Sequence, residues 1–371
     1  MARNSGLSDE IKQQCVERAI SGEGNQALAK EYNVSTRTIT VWRRKWEHLF
    51  ADDDPSVTGA SRLRTWRDED GNYQAEWTKY KKETEDAKKA LQAVAEVLKS
   101  EIKPTKATVF KEQVNNDLLS LYVLTDYHIG MMAWKEESGD NWDISIAEDL
   151  LVKWFESAIQ STTDSHTGVL CNLGDMLHYD SLDAVTPASK HVLDADSRLP
   201  KIVSMVIRAI RQIITMMLQK HEHVHIIMAE GNHDPSSSVW VRAMFDVFYE
   251  NEPRITVDNT HTPYYCYEFG QVSLFFHHGH KKSMNQISGT FVGMYRDVFG
   301  RTKFSYGHMG HLHHKEVKEN SMMIIEQHQT LAAKDAYASR GGYLSNRSAS
   351  VITYHKEYGE VGRLTITPEM L

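Results

Sequence analysis

The chain has 371 residues, 41% hydrophobic and 25% charged, the balance of a soluble globular protein of roughly two or three domains. That composition excludes wholesale disorder, collagen-like repeats and a small disulfide-stapled scaffold. A formal net charge of -8, from 42 basic against 50 acidic side chains, argues against coating nucleic acid through bulk positive charge and leaves a local basic patch open.

Residues 8–50 read as short helices. Ser8, followed by Asp9 and Glu10, caps a predicted helix through Ala19, which Gly22 and Gly24 end. A second, Gln26 to Tyr32, runs into the turn Asn33-Val34-Ser35, and a third follows from Thr36 to about His48 with Ser35 as its cap. Ala27, Leu28, Ala29, Val34, Ile39 and Trp42 give the last two a shared apolar seam across a tight turn, the helix-turn-helix pattern. The third helix carries Arg37, Thr38, Thr40, Arg43, Arg44 and Lys45, and no acid interrupts Tyr32 to Trp46. Residues 1–50 hold eight Lys/Arg against six Asp/Glu, so the acidic total conceals a basic segment. These features predict DNA as a partner, with hydroxyls and guanidinium groups reaching base edges and phosphates. A three-helix bundle that binds protein, or caps its neighbour, is the alternative. The segment resembles the helix-turn-helix of transposases and of phage small-terminase or regulator proteins, over about forty residues.

Residues 51–115 connect. The acidic, turn-rich stretch 51–61 is a linker, and Asp70-Gly71 between alternating segments predicts a hairpin. From Trp77 a helix is predicted to about Leu98, with Trp77, Tyr80, Thr84, Ala87, Leu91, Val94 and Leu98 at three- and four-residue spacing. That seam serves either a homodimer or packing on the domain that follows, and its weak members Thr84 and Ala87 favour packing.

Residues 116–371 alternate apolar strands with amphipathic helices. Strands are predicted at Leu118 to Thr125, Val169 to Leu173, Val224 to Ala229, Val272 to His277 and Met322 to Gln327. Helices are predicted at Ile146 to Gln160, Lys201 to Lys220 and Val239 to Tyr249. This is α/β organisation in layers, with sites expected at strand C-terminal ends. Cys15, Cys171 and Cys266 lie far apart with no CxxC pair, which fits a reducing cytoplasm. The N-terminus lacks an apolar signal core, and no stretch approaches roughly eighteen uninterrupted apolar residues. The richest run, Ile202 to Leu218, is broken by Arg208, Arg211 and Gln212. A cytoplasmic protein without a membrane partner is expected.

Histidine is the unusual residue: 12 of the 19 fall between His221 and His314. Polar residues cluster where the predicted strands end. Asp126-Tyr127-His128 follows the first, Gly174-Asp175 the second with His178 close behind, and Gly231-Asn232-His233-Asp234 the third. His278-Gly279 follows the fourth, and Gly310-His311-Leu312-His313 closes the series. Alternate residues of an extended segment point the same way, so Asp126 with His128, and His311 with His313, can face one ion. So many ionisable groups in one cleft would be costly without a metal to bind them.

In this order DYH, GDMLH, GNHD, HHG and GHLH resemble the motifs of the calcineurin-like metallophosphoesterases, across Asp126 to His313. The resemblance implies an α/β fold, a sandwich of two β-sheets flanked by helices, preceded here by the small all-α helix-turn-helix domain. It puts Asp126, His128, Asp175 and His313 on one divalent metal ion. It puts Asp175, Asn232, His278 and His311 on a second, with Asp175 bridging. His233 takes the place of the catalytic histidine and Asp234 that of its orienting partner. A hydroxide between two such ions would be the nucleophile. The donor set suits Mn²⁺, Fe, Zn²⁺ or Co²⁺, and the family favours Mn²⁺. His277 neighbours His278, but only the residue preceding Gly279 matches the pattern. His280, His308 and His314 exceed the ligand count, as second-layer groups or ordinary polar surface.

Motif detail narrows the class. GDMLHYD and GNHD differ from the GDxxDRG and GNHE of protein serine/threonine phosphatases in this superfamily. DYHIG followed by GDMLH resembles the SbcD/Mre-type nuclease branch, with His178 at that branch's additional active-site histidine. The layout also resembles phage-type phosphoesterases. Lys334, Arg340 and Arg347 lie in a C-terminal loop, as phosphate contacts or as a solvated charged loop. The expectation is a dimetal-dependent phosphodiesterase, a nuclease acting on DNA. The alternatives are a small-molecule nucleotide phosphodiesterase or phosphatase, and a DNA-binding adaptor with a structural phosphoesterase domain.

Overall fold

In the computed structural model three helices open the chain: α1 (Asp9–Ile20), α2 (Asn25–Glu31) and α3 (Thr36–Trp46). The structure describes residues 7–20, 23–46, 61–67, 73–79, 92, 96, 114–187 and 190–371, and the chain divides into two compact units, Met1–Glu85 and Asp86–Leu371. Ser8 Oγ accepts from the Ile11 amide at 3.4 Å, and Ser35 Oγ from the Thr38 amide at 3.1 Å, satisfying backbone donors that a helix start leaves open. Asn33 makes the turn between α2 and α3 in the left-handed region, at φ 51°. Cys15, Val16 and Ala19 of α1 bury against Leu28 and Ala29 of α2 and against Ile39, Trp42 and Trp46 of α3. That shared core is what holds helices this short, which are marginal alone.

Strands β1 (Ser61–Arg67) and β2 (Tyr73–Lys79) pair antiparallel from Ser61↔Lys79 to Arg67↔Tyr73. The predicted hairpin is therefore present, while its turn residues Asp70 and Gly71 lie outside the described residues. Trp77 sits in β2 opposite Leu63, which corrects the helix predicted to begin there. Its alternation with Tyr73 and Ala75 continues the strand, and β1 supplies the backbone partners. Beyond β2, Gln92 and Glu96 are helical and exposed, and the other members of the predicted dimer seam lie outside the described residues.

The second unit is built on two sheets. In the larger, β3 (Asn115–Leu124), β4 (Ser165–Asn172), β5 (His223–Met228) and β6 (Ile255–Val257) run parallel. β12 (Ala349–His355) lies antiparallel on the free side of β3, and β13 (Gly359–Ile366) closes that edge. In the smaller, β8 (Val272–His277), β9 (Phe304–Met309) and β11 (Ile324–Gln327) run parallel between antiparallel edges β7 (Tyr265–Phe269) and β10 (Glu316–Glu319). Leu119, Leu121, Val123 and Ile227 of the larger sheet share one buried cluster with Val272, Leu274 and Phe276 of the smaller. The sheets therefore face each other.

Helices cover both outer faces. Tyr122, Leu124 and Ile226 pack with the helices Ile144–Ser161, Leu199–Lys220 and Pro235–Phe248. Phe275 and Ile325 pack with the helix Met284–Met294. The expected α/β arrangement of two sheets with helices is thus present, a helix–sheet–sheet–helix stack. Leu199–Lys220 is long and apolar enough to cross a membrane, but twelve of its side chains are buried in this core. The five predicted strands are all found, Val272–His277 with its predicted ends and the other four with shifted ends, whereas β6, β7, β9, β10, β12 and β13 were not predicted. Several are short edges, and β9 contains Gly307 and His308, which interrupt the apolar pattern.

Candidate metal centre

β3, β4 and β5 lie side by side and parallel, as do β8 and β9, so their C-terminal ends carry the polar loops to one edge of the stacked sheets. The loops are stitched by backbone bonds. The Asp126 amide donates to Gly174 O at 3.0 Å, the His128 amide to Asp175 O at 3.0 Å, and the Gly310 amide to His278 O at 2.8 Å. Among the described residues seven other than glycine have positive φ, and five of them are Asp126, His128, Asp175, His311 and His313, at 48–78°. Such backbone costs of order 1 kcal/mol each, and it is concentrated where these side chains converge. Space is equally tight: a Cβ on Gly231 would fall 2.0 Å from Asp175 Oδ1, and one on Gly310 1.9 Å from Thr125 Oγ1.

Donor atoms of Asp126, Asp175, His278 and His311 lie within 4.8 Å of one another, as do those of Asp126, His128 and His313. Asp126 belongs to both groups and Asp175 to the first. Asp126 Oδ2 is occupied, accepting from Thr125 Oγ1 at 2.6 Å and from the His311 amide at 2.8 Å. Its Oδ1 is buried without a hydrogen bond, although His313 Nε2 is 3.2 Å away. The two atoms are close but misaligned for a hydrogen bond, and the oxygen is left free to coordinate.

His278 makes the same point more sharply. Its Nδ1 donates to Leu173 O at 3.0 Å, so in the neutral ring Nε2 is a lone pair. That Nε2 faces Asn232 Oδ1 at 3.0 Å, Asp175 Oδ2 at 3.1 Å and Asp126 Oδ1 at 3.9 Å. Four acceptors so placed need a positive charge among them, as a proton or a cation. Burial disfavours the imidazolium, but Asp175 and Asp126 outweigh it and lift the His278 pKa to about 9. Both carboxylates are held below their ordinary range because His278, with His313 at Asp126, outweighs their burial. Burial and then His233 push His128 well below its ordinary pKa and His178 to about 3, leaving neutral rings with lone pairs. Ionised carboxylates, neutral imidazoles and an orphaned oxygen fit divalent cations.

His233 Nδ1 lies 2.8 Å from His178 O, which fixes the proton on Nδ1 and leaves Nε2 free. The His178 carbonyl orients His233, which corrects the expected role of Asp234. Asp234 Oδ1 instead accepts from the Asp175 and Gly231 amides at 3.2 and 3.1 Å, and Oδ2 from the Leu177 amide at 3.1 Å. Three backbone donors surround this carboxylate, so it ties two loops together. Burial and then Asp175 raise its pKa to about 7. The His178 ring lies 5.2 Å from His128 and 5.6 Å from His233.

Of the remaining histidines, His277 stacks on Tyr264 at 4.7 Å, leaving His278 to face the carboxylates. His280 lies 5.3 Å from His278, and His314 is half-buried near Glu316. His308 pairs with His328, not with this centre. Arg340 binds Glu137, and Arg347 binds Leu331 O, so these arginines anchor the C-terminal loop. Thr125, Thr330, whose Oγ1 donates to Asp126 O at 2.7 Å, and Gln327, whose Nε2 donates to Gly310 O, were not predicted. Their residue types carry no signal outside the fold. On α3, Arg37, Thr40, Arg44 and Lys45 are exposed and Thr38 and Arg43 half-buried. Thr38 Oγ1 bonds Ser35 Oγ at 2.8 Å, Thr40 Oγ1 donates to Thr36 O at 3.1 Å, and Lys45 lies 4.0 Å from Asp9.

No protein-family model matches the chain, and no curated protein matches it. Among solved structures it is similar to a predicted phosphoesterase from Streptococcus pneumoniae, with 9% identity, 67% of this chain and 98% of that chain covered, and a TM-score of 0.29. An archaeal phosphodiesterase gives 12% identity over 67% and 99%, with a TM-score of 0.34. A dimetal phosphatase from Danio rerio gives 10% over 67% and 98%, with a TM-score of 0.33. At these values the likeness carries no weight for chemistry, which rests on the geometry of the loops.

Proposed function

We propose that the chain is a dimetal-dependent phosphodiesterase that hydrolyses DNA, with α1–α3 as its DNA-reading element. The observation that carries this reading is the convergence of Asp126, Asp175 and Asn232 oxygens on His278 Nε2, ringed by His128, His311 and His313. Asp126, Asp175, Asn232, His128, His278, His311 and His313 would hold two ions, Mn²⁺ foremost, with Fe, Zn²⁺ or Co²⁺ suited to the same donors. Bound there, such ions polarise phosphoryl oxygens and make water nucleophilic near neutral pH.

The chain's own residues supply the rest. His233, anchored through Nδ1, gives the Nε2 proton of its imidazolium form to the leaving oxygen and is left as the neutral Nδ1–H ring. His178, a neutral ring beside it, offers a hydrogen bond to a bound phosphate. Asp234 fixes the Asp175 loop against the His233 loop. DNA as the substrate is supported by α3, whose Arg37, Thr38, Thr40, Arg43, Arg44 and Lys45 form an acid-free basic segment with Arg37 and Arg44 exposed.

Hydrolysis of labelled single- and double-stranded DNA with Mn²⁺, beside bis-p-nitrophenyl phosphate and a phosphomonoester, tests the proposal. DNA cleavage is expected, lost with chelator and in Asp175→Asn and His233→Ala. Turnover of the small diester without DNA cleavage would replace DNA by a small nucleotide substrate. Undiminished turnover in His233→Ala would overturn the assigned proton donor.

A further inference from the structure

Between the two sheets lies a second group of donors that the centre at the strand ends does not use. Glu326 on β11 stands in register with His308 on β9, and His328 follows β11 directly. His308 Nδ1 is 2.9 Å from His328 Nε2, and His328 Nδ1 is 3.7 Å from Glu326 Oε1. One donor atom from each falls within 4.8 Å of the others, and all three side chains are buried.

Each donor has a partner behind it. The Tyr354 hydroxyl lies 3.1 Å from His308 Nε2. Arg363 Nη1 and Nη2 donate to the two Glu326 oxygens at 2.6 and 2.8 Å. A cavity of about 300 Å³ opens beside the group, lined by His308, Lys315, Glu326, Tyr354 and Arg363 among others.

Two facing imidazole nitrogens 2.9 Å apart can hold one proton between them. Burial keeps both rings neutral, with His308 well below its ordinary pKa and His328 at about 3. When His308 carries its proton on Nε2 and donates it to the Tyr354 oxygen, both facing nitrogens present lone pairs to one point. Glu326, paired with Arg363, adds a carboxylate. Two imidazoles, a carboxylate and an outer layer of oriented partners make a donor set for a first-row transition ion rather than Mg²⁺ or Ca²⁺. Arg363 and Lys315, the latter 3.7 Å from Glu326 Oε1, lower the local negative charge and so favour an anion as the fourth ligand.

We propose that His308, Glu326 and His328 form a separate three-donor site for a divalent ion of the Zn²⁺ class, with its fourth position open to the cavity.

The test uses the full-length chain with the first centre dismantled by Asp126→Asn and Asp175→Asn, stripped with chelator and titrated with Co²⁺. One Co²⁺ per chain should survive gel filtration, show the visible absorption of tetrahedral coordination and be displaced by Zn²⁺. Adding His328→Gln should weaken that binding by ~100-fold or more, with the metal-free melting temperature unchanged. Where that variant does not fold, Glu326→Gln, which conserves shape, carries the same expectation. Failure to retain Co²⁺, or retention unaffected by either substitution, would overturn the site.

Discussion

A single methyl group at position 310 should disable the proposed hydrolysis while leaving the fold in place. In Gly310→Ala the new Cβ would lie 1.9 Å from Thr125 Oγ1 and 2.8 Å from Asp126 Oδ2, where ordinary contact begins near 3.4 Å. Thr125 is buried and β-branched, so its side chain has few ways to turn aside. The 2.6 Å bond from Thr125 to Asp126 must break or the whole carboxylate must move. A hydrogen bond to a charged group contributes about 1.5–3 kcal/mol, and overpacking costs a further ~1–3 kcal/mol. A displacement of ~1 Å in a group that positions the reaction lowers turnover by ~100-fold.

Thr125→Ala removes the clashing oxygen and, with it, the bond to Asp126. Alone it should lower turnover by ~10-fold, and combined with Gly310→Ala it should leave more activity than the ~1000-fold loss of independent effects. The assay is Mn²⁺-dependent turnover of bis-p-nitrophenyl phosphate, with urea unfolding of each variant in parallel. Wild-type turnover in Gly310→Ala, or a double variant at the full product of the single losses, would refute the packing argument.

Gly168→Ala tests a site remote in chemistry: its Cβ would lie 2.4 Å from the His221 ring, and urea unfolding should show a loss of about 1–3 kcal/mol with turnover per folded molecule unchanged. His221 itself, buried and bonded to Tyr122 Oη at 2.8 Å and Ser165 O at 2.8 Å, is held at a pKa of about 4 by burial. Its folded pKa lies below the unfolded value of about 6.5, so its contribution is complete above pH ~6.5 and lost as pH falls towards 4, by ~3 kcal/mol at most. In His221→Gln the slope of urea stability against pH across that window should fall by one proton. Arg37→Ala with Arg44→Ala should weaken DNA binding and flatten its salt dependence by about two charges, without altering turnover of the small diester. An unchanged salt slope in binding titrations would remove α3 from the DNA interface.

The strand-end motifs were legible because their chemistry constrains neighbouring residue types. A donor held in a sharp loop after a buried strand leaves an apolar run, a small residue and an Asp or His in sequence. Asp175 and His311, each preceded by glycine, show that signature, and His278 carries its glycine on the other side. The partner of His233 was not legible, because the His178 carbonyl is a backbone atom and every residue has one. Asp234 was placed on His233 by the family resemblance, yet three amides from two loops claim it. Trp77 looked helical because its three- and four-residue spacing begins where a strand's alternation ends, and only pairing with Leu63 decides between them. His308 stood apart as surplus and His328 drew no reading, because their proximity comes from parallel pairing of β9 with β11.

β12 contributes no donor to the centre, yet Val351 and Ile352 pair with Tyr122 and Leu121 on the side of β3 that β4 does not cover. During synthesis β3 is made early and β12 late. Until residues 349–355 leave the ribosome, the strand that carries Asp126 has an open edge able to pair with another chain. Emergence of residues 349–355, rather than the making of the motifs, therefore sets when this strand gains both neighbours, and a chain stalled near residue 340 would hold every donor with β3 still half-paired.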